Sequence, residues 1–253
     1  MKAKKSLGQN FLISPRVSQM IARSGDISLG ENVLEIGPGK GALTKELLGE
    51  GARVIAVEKD SSLISELEGK FGKEISEERL RIIPDDVLKI DFDKLEIGHF
   101  KLIANIPYYI TGAIIEKFLS AKNPPELAVL MLQKEVAERI IARDGKESIL
   151  SISVKVFGKP KIVMKVSRGN FFPIPNVDSA VLKISGIKNP FSDKKEEKRF
   201  FELVKKGFAH KRKKLTSNLG LSAKQIGDMS IPKNARAEDM DVEFWKKLAE
   251  GLF

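Results

Sequence analysis

Short apolar runs alternate with segments of helical periodicity from residue 32 to residue 132. Residues 33–36, 53–58, 80–83, 101–104 and 127–132 read as strands, and residues 42–48, 61–71, 111–119 and 134–142 carry apolar positions three and four apart and read as helices. Strands apolar on both faces, separated by helices, predict a doubly wound, mostly parallel α/β sheet. Residues 149–157 fit a buried helix or a strand equally well. Residues 162–166 and 177–184 read as two closing strands, joined by a loop that holds Phe171, Phe172, Pro173 and Pro175.

After Gly186 the pattern changes. A turn-rich stretch gives way to helical periodicity alone, at 194–208, 222–226 and 242–248, the last carrying Trp245, the single tryptophan. This predicts an α/β domain over residues 1–186 and a small all-helical domain over residues 187–253.

Composition narrows the chemistry. The chain has no cysteine and two histidines, His99 and His210, so thiolate or histidine metal sites and a cysteine nucleophile are not expected, and no metal is predicted. No apolar run approaches the roughly 18 residues of a membrane span, and Met1-Lys2-Ala3-Lys4-Lys5 lacks the apolar core of a signal peptide. A cytoplasmic, membrane-free protein is expected. Lysine and arginine number 44 against 34 acidic residues, a formal charge of +10. The excess is local: residues 1–25 hold Lys2, Lys4, Lys5, Arg16 and Arg23 with no acid, and residues 203–218 hold Lys205, Lys206, Lys211, Arg212, Lys213 and Lys214 with none. Both stretches suit a nucleic-acid phosphate backbone, with Lys4, Lys5 and the six C-terminal basic residues as candidate RNA contacts. A solvated face of a lysine-rich protein has the same composition. Phe201, Leu203, Val204 and Phe208 are expected in the helical core.

Three features mark a nucleotide-like ligand. Gly37-Pro38-Gly39-Lys40-Gly41 follows the first strand and opens a helix, which lets backbone approach a ligand closely. With Ala42 it also satisfies the G-x-G-x-x-G/A fingerprint, so a dinucleotide-binding oxidoreductase stays open on this motif alone. Glu58, ending the second strand, suits ribose hydroxyls in either case. Asp85 and Asp86 follow the third strand, where a carboxylate can accept from an adenine amine while the Val87 N–H donates to the ring.

Asn105-Ile106-Pro107-Tyr108 follows the fourth strand. An exocyclic amine is a poor nucleophile because its lone pair is delocalised into the ring. Two aimed acceptors, the Asn105 side-chain oxygen and a backbone carbonyl of the turn held by Pro107, would pull the nitrogen toward tetrahedral geometry, with the Tyr108 ring as a platform for the base. Alone, the tetrapeptide also suits an ordinary strand-to-turn exit. The order of glycine loop, Glu58, Asp86 and Asn105 favours an S-adenosylmethionine site with an amine-methylating motif over a dehydrogenase.

Over essentially its whole length the chain resembles the KsgA-type ribosomal RNA adenine dimethyltransferases. The resemblance rests on Leu7-Gly8-Gln9-Asn10-Phe11-Leu12, Glu35-Ile36-Gly37-Pro38-Gly39-Lys40-Gly41, Asn105-Ile106-Pro107-Tyr108, Gln133-Lys134-Glu135-Val136-Ala137-Glu138-Arg139, the loop from Phe171 to Ser179, and Lys211-Arg212-Lys213-Lys214-Leu215. It implies a class I S-adenosylmethionine-dependent methyltransferase fold. It further implies a cofactor site of Gln9, Asn10, Leu12, Gly37, Gly39, Gly41, Glu58, Lys59, Asp86, Val87 and Asn105, with Asn105, Ile106, Pro107 and Tyr108 at the reacting amine and Phe171 stacking the target base opposite Tyr108. The implied substrate is a pair of adjacent adenosines near the 3′ end of small-subunit ribosomal RNA, each converted to N6-dimethyladenosine by a monomeric enzyme acting within a pre-ribosomal small subunit. Two neighbouring readings share these features: a macrolide-resistance methyltransferase of large-subunit RNA, and an assembly factor that acts mainly by binding. The chain departs from the family pattern at Tyr109-Ile110-Thr111-Gly112, where Asn-Ile-Ser-Thr is frequent, and at Ser148-Ile149, where a Tyr-Gly pair is frequent.

Overall fold

The computed structural model describes residues 4, 8–95, 97–229, 231–232 and 234–252. The chain divides into two compact units, one formed by residues up to 137 together with 158–189, the other by 138–157 together with 190–253.

The first unit is built on a seven-stranded sheet. Its strands are β2 (Asn32–Ile36), β3 (Arg53–Glu58), β4 (Leu80–Pro84), β5 (Lys101–Asn105), β6 (Leu127–Gln133), β7 (Lys159–Val166) and β9 (Ser179–Ser185), in the order β4-β3-β2-β5-β6-β9-β7. β4 through β6 are mutually parallel, while β9 runs antiparallel to both β6 and β7. The central strands are apolar on both faces because helices cover both. Val33, Leu34, Ile103, Ala104, Val129 and Leu130 are all buried. β7, at the edge, alternates exposed and half-buried positions instead. A separate ribbon pairs β1 (Phe11–Leu12) with β8 (Phe171–Phe172), in register Phe11 to Phe172 and Leu12 to Phe171.

Helices α1 (Pro15–Arg23), α2 (Ala42–Gly49), α3 (Ser61–Lys70), α4 (Gly72–Ser76) and α5 (Thr111–Leu119) flank the sheet, and α6 (Lys134–Ile140) follows β6. α1 starts at a proline, which suits a first helical position, and buries Val17, Ser18, Ile21 and Ala22.

The second unit is helical: α7 (Ile149–Lys155), α8 (Lys194–Gly207), α9 (Leu215–Leu219), α10 (Ala223–Asp228) and α11 (Val242–Leu252). The open assignment at 149–157 resolves to a helix. Ser148 caps it, accepting from the Ser151 N–H at 3.1 Å while the Ser151 hydroxyl accepts from the Ser148 N–H at 2.6 Å, so both orphan donors are met. Residues 138–157, assigned to the first domain from sequence continuity, group with the C-terminal helices. The Glu147 N–H donates to the Glu238 carbonyl at 2.8 Å, Lys146 pairs with Asp239, and Phe157 joins Phe191 and Phe201 with ring centroids 5.9 and 6.2 Å away. Leu203 and Val204 are buried, and Phe208 stacks on the buried Trp245 at 5.7 Å. Gly207 permits that packing, since a Cβ there would lie 2.3 Å from the Trp245 ring. Among the described residues no helix is long and apolar enough to cross a membrane.

Candidate active site

A cleft opens at the carboxyl ends of β2 to β5, where a doubly wound sheet binds its ligands. Its floor is the glycine loop. Gly37, Gly39 and Gly41 all have left-handed φ, of 63°, 60° and 74°. At Gly41 the requirement is absolute, because a Cβ would also lie 2.4 Å from the Phe71 ring. Gly39 lies beneath the Phe11 ring, 3.2 Å from the position a Cβ would take.

Glu58, at the end of β3, is buried and accepts from the Gly39 N–H at 3.2 Å and the Asp60 N–H at 2.9 Å. Burial raises its pKa above the ordinary value, and these hydrogen bonds oppose the rise. A carboxylate has about four acceptor sites, so Glu58 keeps capacity for ligand hydroxyls. Asp86 follows β4 and accepts from the Lys59 ammonium at 2.9 Å and the Leu88 N–H at 3.0 Å. The Lys59 hydrogen bond holds the Asp86 carboxyl below its usual range. Lys59 therefore enters the site as the partner of Asp86. Val87 is buried and lines the cleft.

Gln9, Asn10 and Leu12 line the cleft from the N-terminal side. Leu12 is buried, Asn10 donates to the Gly8 carbonyl at 3.3 Å, and Gln9 donates to Asp60 at 2.8 Å. Lys4, proposed from charge as an RNA contact, gives its ammonium to Asp60 at 2.7 Å. Lys5 and Leu7 lie outside the described residues.

Asn105 ends β5, beside Met131 of β6, and the Ile106 N–H donates to the Met131 carbonyl at 3.1 Å. The turn then closes through the Ile110 N–H to the Pro107 carbonyl at 3.1 Å and the Thr111 hydroxyl to the Tyr108 carbonyl at 3.1 Å. Among the described residues no intramolecular hydrogen bond takes up the Asn105 side chain or the Ile106 carbonyl. Both acceptors stay available on the cleft wall. The Tyr108 hydroxyl is tied to the buried Ser179 hydroxyl at 2.6 Å, which fixes the ring, and burial pushes the phenol pKa up. Tyr109, where the chain departs from the family pattern, is mostly exposed and covers Gly8, whose Cβ would lie 3.1 Å from the Tyr109 ring.

Phe171 is not placed as a stacking surface. It is 1% exposed and packs in the hydrophobic core, whereas its neighbour Phe172 is 65% exposed. Successive strand side chains face opposite ways, so only one of the two phenylalanines can look outward. Residues that sequence reasoning missed include Glu35, Asp60 and Ser179, all buried. Glu35 accepts from the Thr44 hydroxyl at 2.7 Å, and burial pushes its pKa up to about 8. Asp60 opens an Asp-Ser-Ser run at 60–62, a helix-cap pattern, while Glu35 and Ser179 stand within motifs of the family resemblance that assigned them no role.

In the second unit Lys205 and Lys206 occupy the exposed last turn of α8, and Lys211, Arg212, Lys213 and Lys214 the exposed turn that follows. Asn218 donates to the Gly207 and His210 carbonyls at 2.6 and 3.1 Å and so holds the base of that turn.

Residues 1–252 match the family model described as ribosomal RNA adenine dimethylase. The ribosomal RNA small subunit methyltransferase A of Dehalococcoides mccartyi (strain CBDB1) is 41% identical over 259 residues, covering 98% of this chain and 88% of that protein. The protein of the same name from Fusobacterium nucleatum subsp. nucleatum is 38% identical over 252 residues, covering 96% and 94%. Among solved structures, a dimethyladenosine transferase from Plasmodium falciparum superposes with a TM-score of 0.81 at 29% identity, covering 94% of this chain and 95% of that one. The 23S rRNA methyltransferase ErmE superposes with a TM-score of 0.78 at 26% identity, covering 96% and 99%.

Proposed function

The chain belongs to the ribosomal RNA adenine dimethylase family, and we propose on that footing that it dimethylates the N6 amines of two adjacent adenosines near the 3′ end of small-subunit ribosomal RNA. The observation that carries this proposal is the pair of uncommitted acceptors, Asn105 side chain and Ile106 carbonyl, on the wall of a cleft that also holds Glu58 and Asp86. S-adenosylmethionine is the cofactor, and the cleft residues fit it: Glu58 suits ribose hydroxyls, Asp86 an adenine amine, and the glycine loop a close backbone approach. Bound there, it supplies an electrophilic sulfonium methyl.

The protein's part is to make the amine nucleophilic. Asn105 and Ile106 each accept one N–H of the target adenine, which draws the nitrogen lone pair out of the ring. Tyr108 offers its ring face to the swung-out base, a contact worth about 1–3 kcal/mol, and the hydrogen bond to Ser179 keeps that face in place. The methylated nitrogen is strongly acidic and loses its proton to water, so no general base is required. In the second round one N–H remains and a single acceptor suffices. The open aromatic of β8 is Phe172, which we propose as the RNA-facing member of the pair, with Phe171 supporting it from the core.

The basic turn at 205–214 docks the RNA, and we extend the proposal to a substrate met within a pre-ribosomal small subunit, in the cytoplasm, by a monomer. Purified small and large subunits incubated with labelled S-adenosylmethionine test the assignment, with label expected in small-subunit RNA alone. Asn105→Ala should abolish transfer while leaving RNA affinity unchanged, and retained dimethylation would overturn the role of the acceptor.

A further inference from the structure

Asp60 has more partners than a helix cap needs. It is 3% exposed, lies two residues beyond the end of β3 as the N-cap of α3, and is absent from the cleft wall. Capping requires one acceptor for the Ser62 N–H, which Oδ1 provides at 3.1 Å. The same oxygen also takes the Ser62 hydroxyl at 2.5 Å and the Lys4 ammonium at 2.7 Å, and Oδ2 takes the Gln9 amide at 2.8 Å. The Gln9 side-chain carbonyl in turn accepts from the Lys4 N–H at 2.7 Å. Two side chains from the start of the chain therefore converge on one buried carboxylate, 56 and 51 residues away in sequence. Neither contributes to capping.

On its other side Asp60 reaches the cofactor cleft. Its N–H donates to Glu58 Oε1 at 2.9 Å, while Glu58 Oε2 accepts from the Gly39 N–H at 3.2 Å. Gly8, Gln9 and Asn10, which the Lys4 and Gln9 contacts tether, line the same cleft. Burial alone would raise the Asp60 pKa, and the hydrogen bonds from Lys4, Ser62 and Gln9 outweigh it, holding the carboxyl below its usual range.

We propose that Asp60 is a positioning residue for cofactor binding, a latch whose carboxylate holds Lys4 and the cleft-lining Gln9 in place while its N–H orients Glu58. This inference rests on the S-adenosylmethionine reading given above. The asymmetry of the ion pair supports it. The Lys4 side chain is about half exposed, but that of Asp60 is 1% exposed, so losing the cation leaves an uncompensated buried charge rather than a weakened surface pair.

The test uses the whole chain, with S-adenosylmethionine itself as the probe. Lys4→Met and Asp60→Asn should each weaken its affinity about tenfold in calorimetry, mainly through faster dissociation in stopped flow. The KM for the cofactor should rise in step, with kcat at saturating cofactor within about twofold of the parent chain. Because both changes break one interaction, the double variant should be little worse than either single one. Unchanged cofactor affinity in Lys4→Met, or a fall in kcat with unchanged KM, would overturn the latch. Lys4→Met leaves the helix cap intact, so it decides the matter even where Asp60→Asn fails to fold. A parent chain that binds no S-adenosylmethionine would instead overturn the cofactor reading.

Discussion

Glu35→Gln should make the chain progressively more stable than the parent as pH rises. Glu35 lies on β2, is 1% exposed, and its carboxyl group accepts from the Thr44 hydroxyl. Burial raises its pKa from the ordinary 4.5 to about 8, the Thr44 hydroxyl opposes that rise, and the nearby charge of Glu58 adds to it. Between those two values the unfolded chain has lost the proton and the native state keeps it. The native state therefore binds more protons, and this group's contribution to stability falls as pH rises. The gap is 8 − 4.5, or 3.5 units, which at about 1.36 kcal/mol per unit is on the order of 4–5 kcal/mol. Glutamine has nearly the same volume and accepts the same Thr44 hydrogen bond, but carries no proton to lose. Urea unfolding of both chains from pH 5 to pH 9, at fixed salt and without ligand, measures the difference, in which all shared titrations cancel. The gap should widen by about 1.4 kcal/mol per pH unit and level off above pH 8. An offset that stays constant from pH 5 to pH 9 would overturn this, since it would mean Glu35 has already lost its proton in the native state.

Phe171→Ala should cost about 3–5 kcal/mol of stability in thermal or urea unfolding, as a fully buried aromatic does, whereas Phe172→Ala should leave stability within about 0.5 kcal/mol and weaken RNA binding instead. Tyr108→Phe keeps the ring but loses the Ser179 hydrogen bond, at about 1 kcal/mol of stability. Tyr108→Ala removes the stacking face and should raise the KM for RNA by roughly 5- to 150-fold. Charge reversal at Lys211, Arg212, Lys213 and Lys214 should weaken RNA binding and flatten its dependence on salt concentration, measured by filter binding over a salt series.

The parallel sheet was legible because its strands are apolar on both faces, a pattern that only a doubly covered sheet makes favourable. The candidate site was legible for a related reason. Glu58, Asp86 and Asn105 each stand at or just past the carboxyl end of a strand, so strand order alone brings them to one edge of the sheet. Features made by distant partners were not. The β1 and β8 strands are two residues each, too short for any periodicity, and the choice between Phe171 and Phe172 as the outward ring follows from that pairing. Residues 149–157 have no distinguishing period, and Ser148 decides for a helix through a cap whose partner is three residues on. Charge alone marked Lys4 as a phosphate contact, while its carboxylate partner lies 56 residues away. Folding, not composition, sets which lysines remain free.

Dimethylation of adjacent adenosines in small-subunit ribosomal RNA leaves a distinct mass signature. Mass spectrometry of nuclease fragments from unmethylated small subunits, after incubation with this chain and S-adenosylmethionine, tests it most directly. One fragment near the 3′ end should carry two methyl groups on each of two neighbouring adenosines, with none in the Asn105→Ala reaction. Methyl groups confined to large-subunit RNA, or single methylation that never proceeds to the dimethyl product, would contradict it.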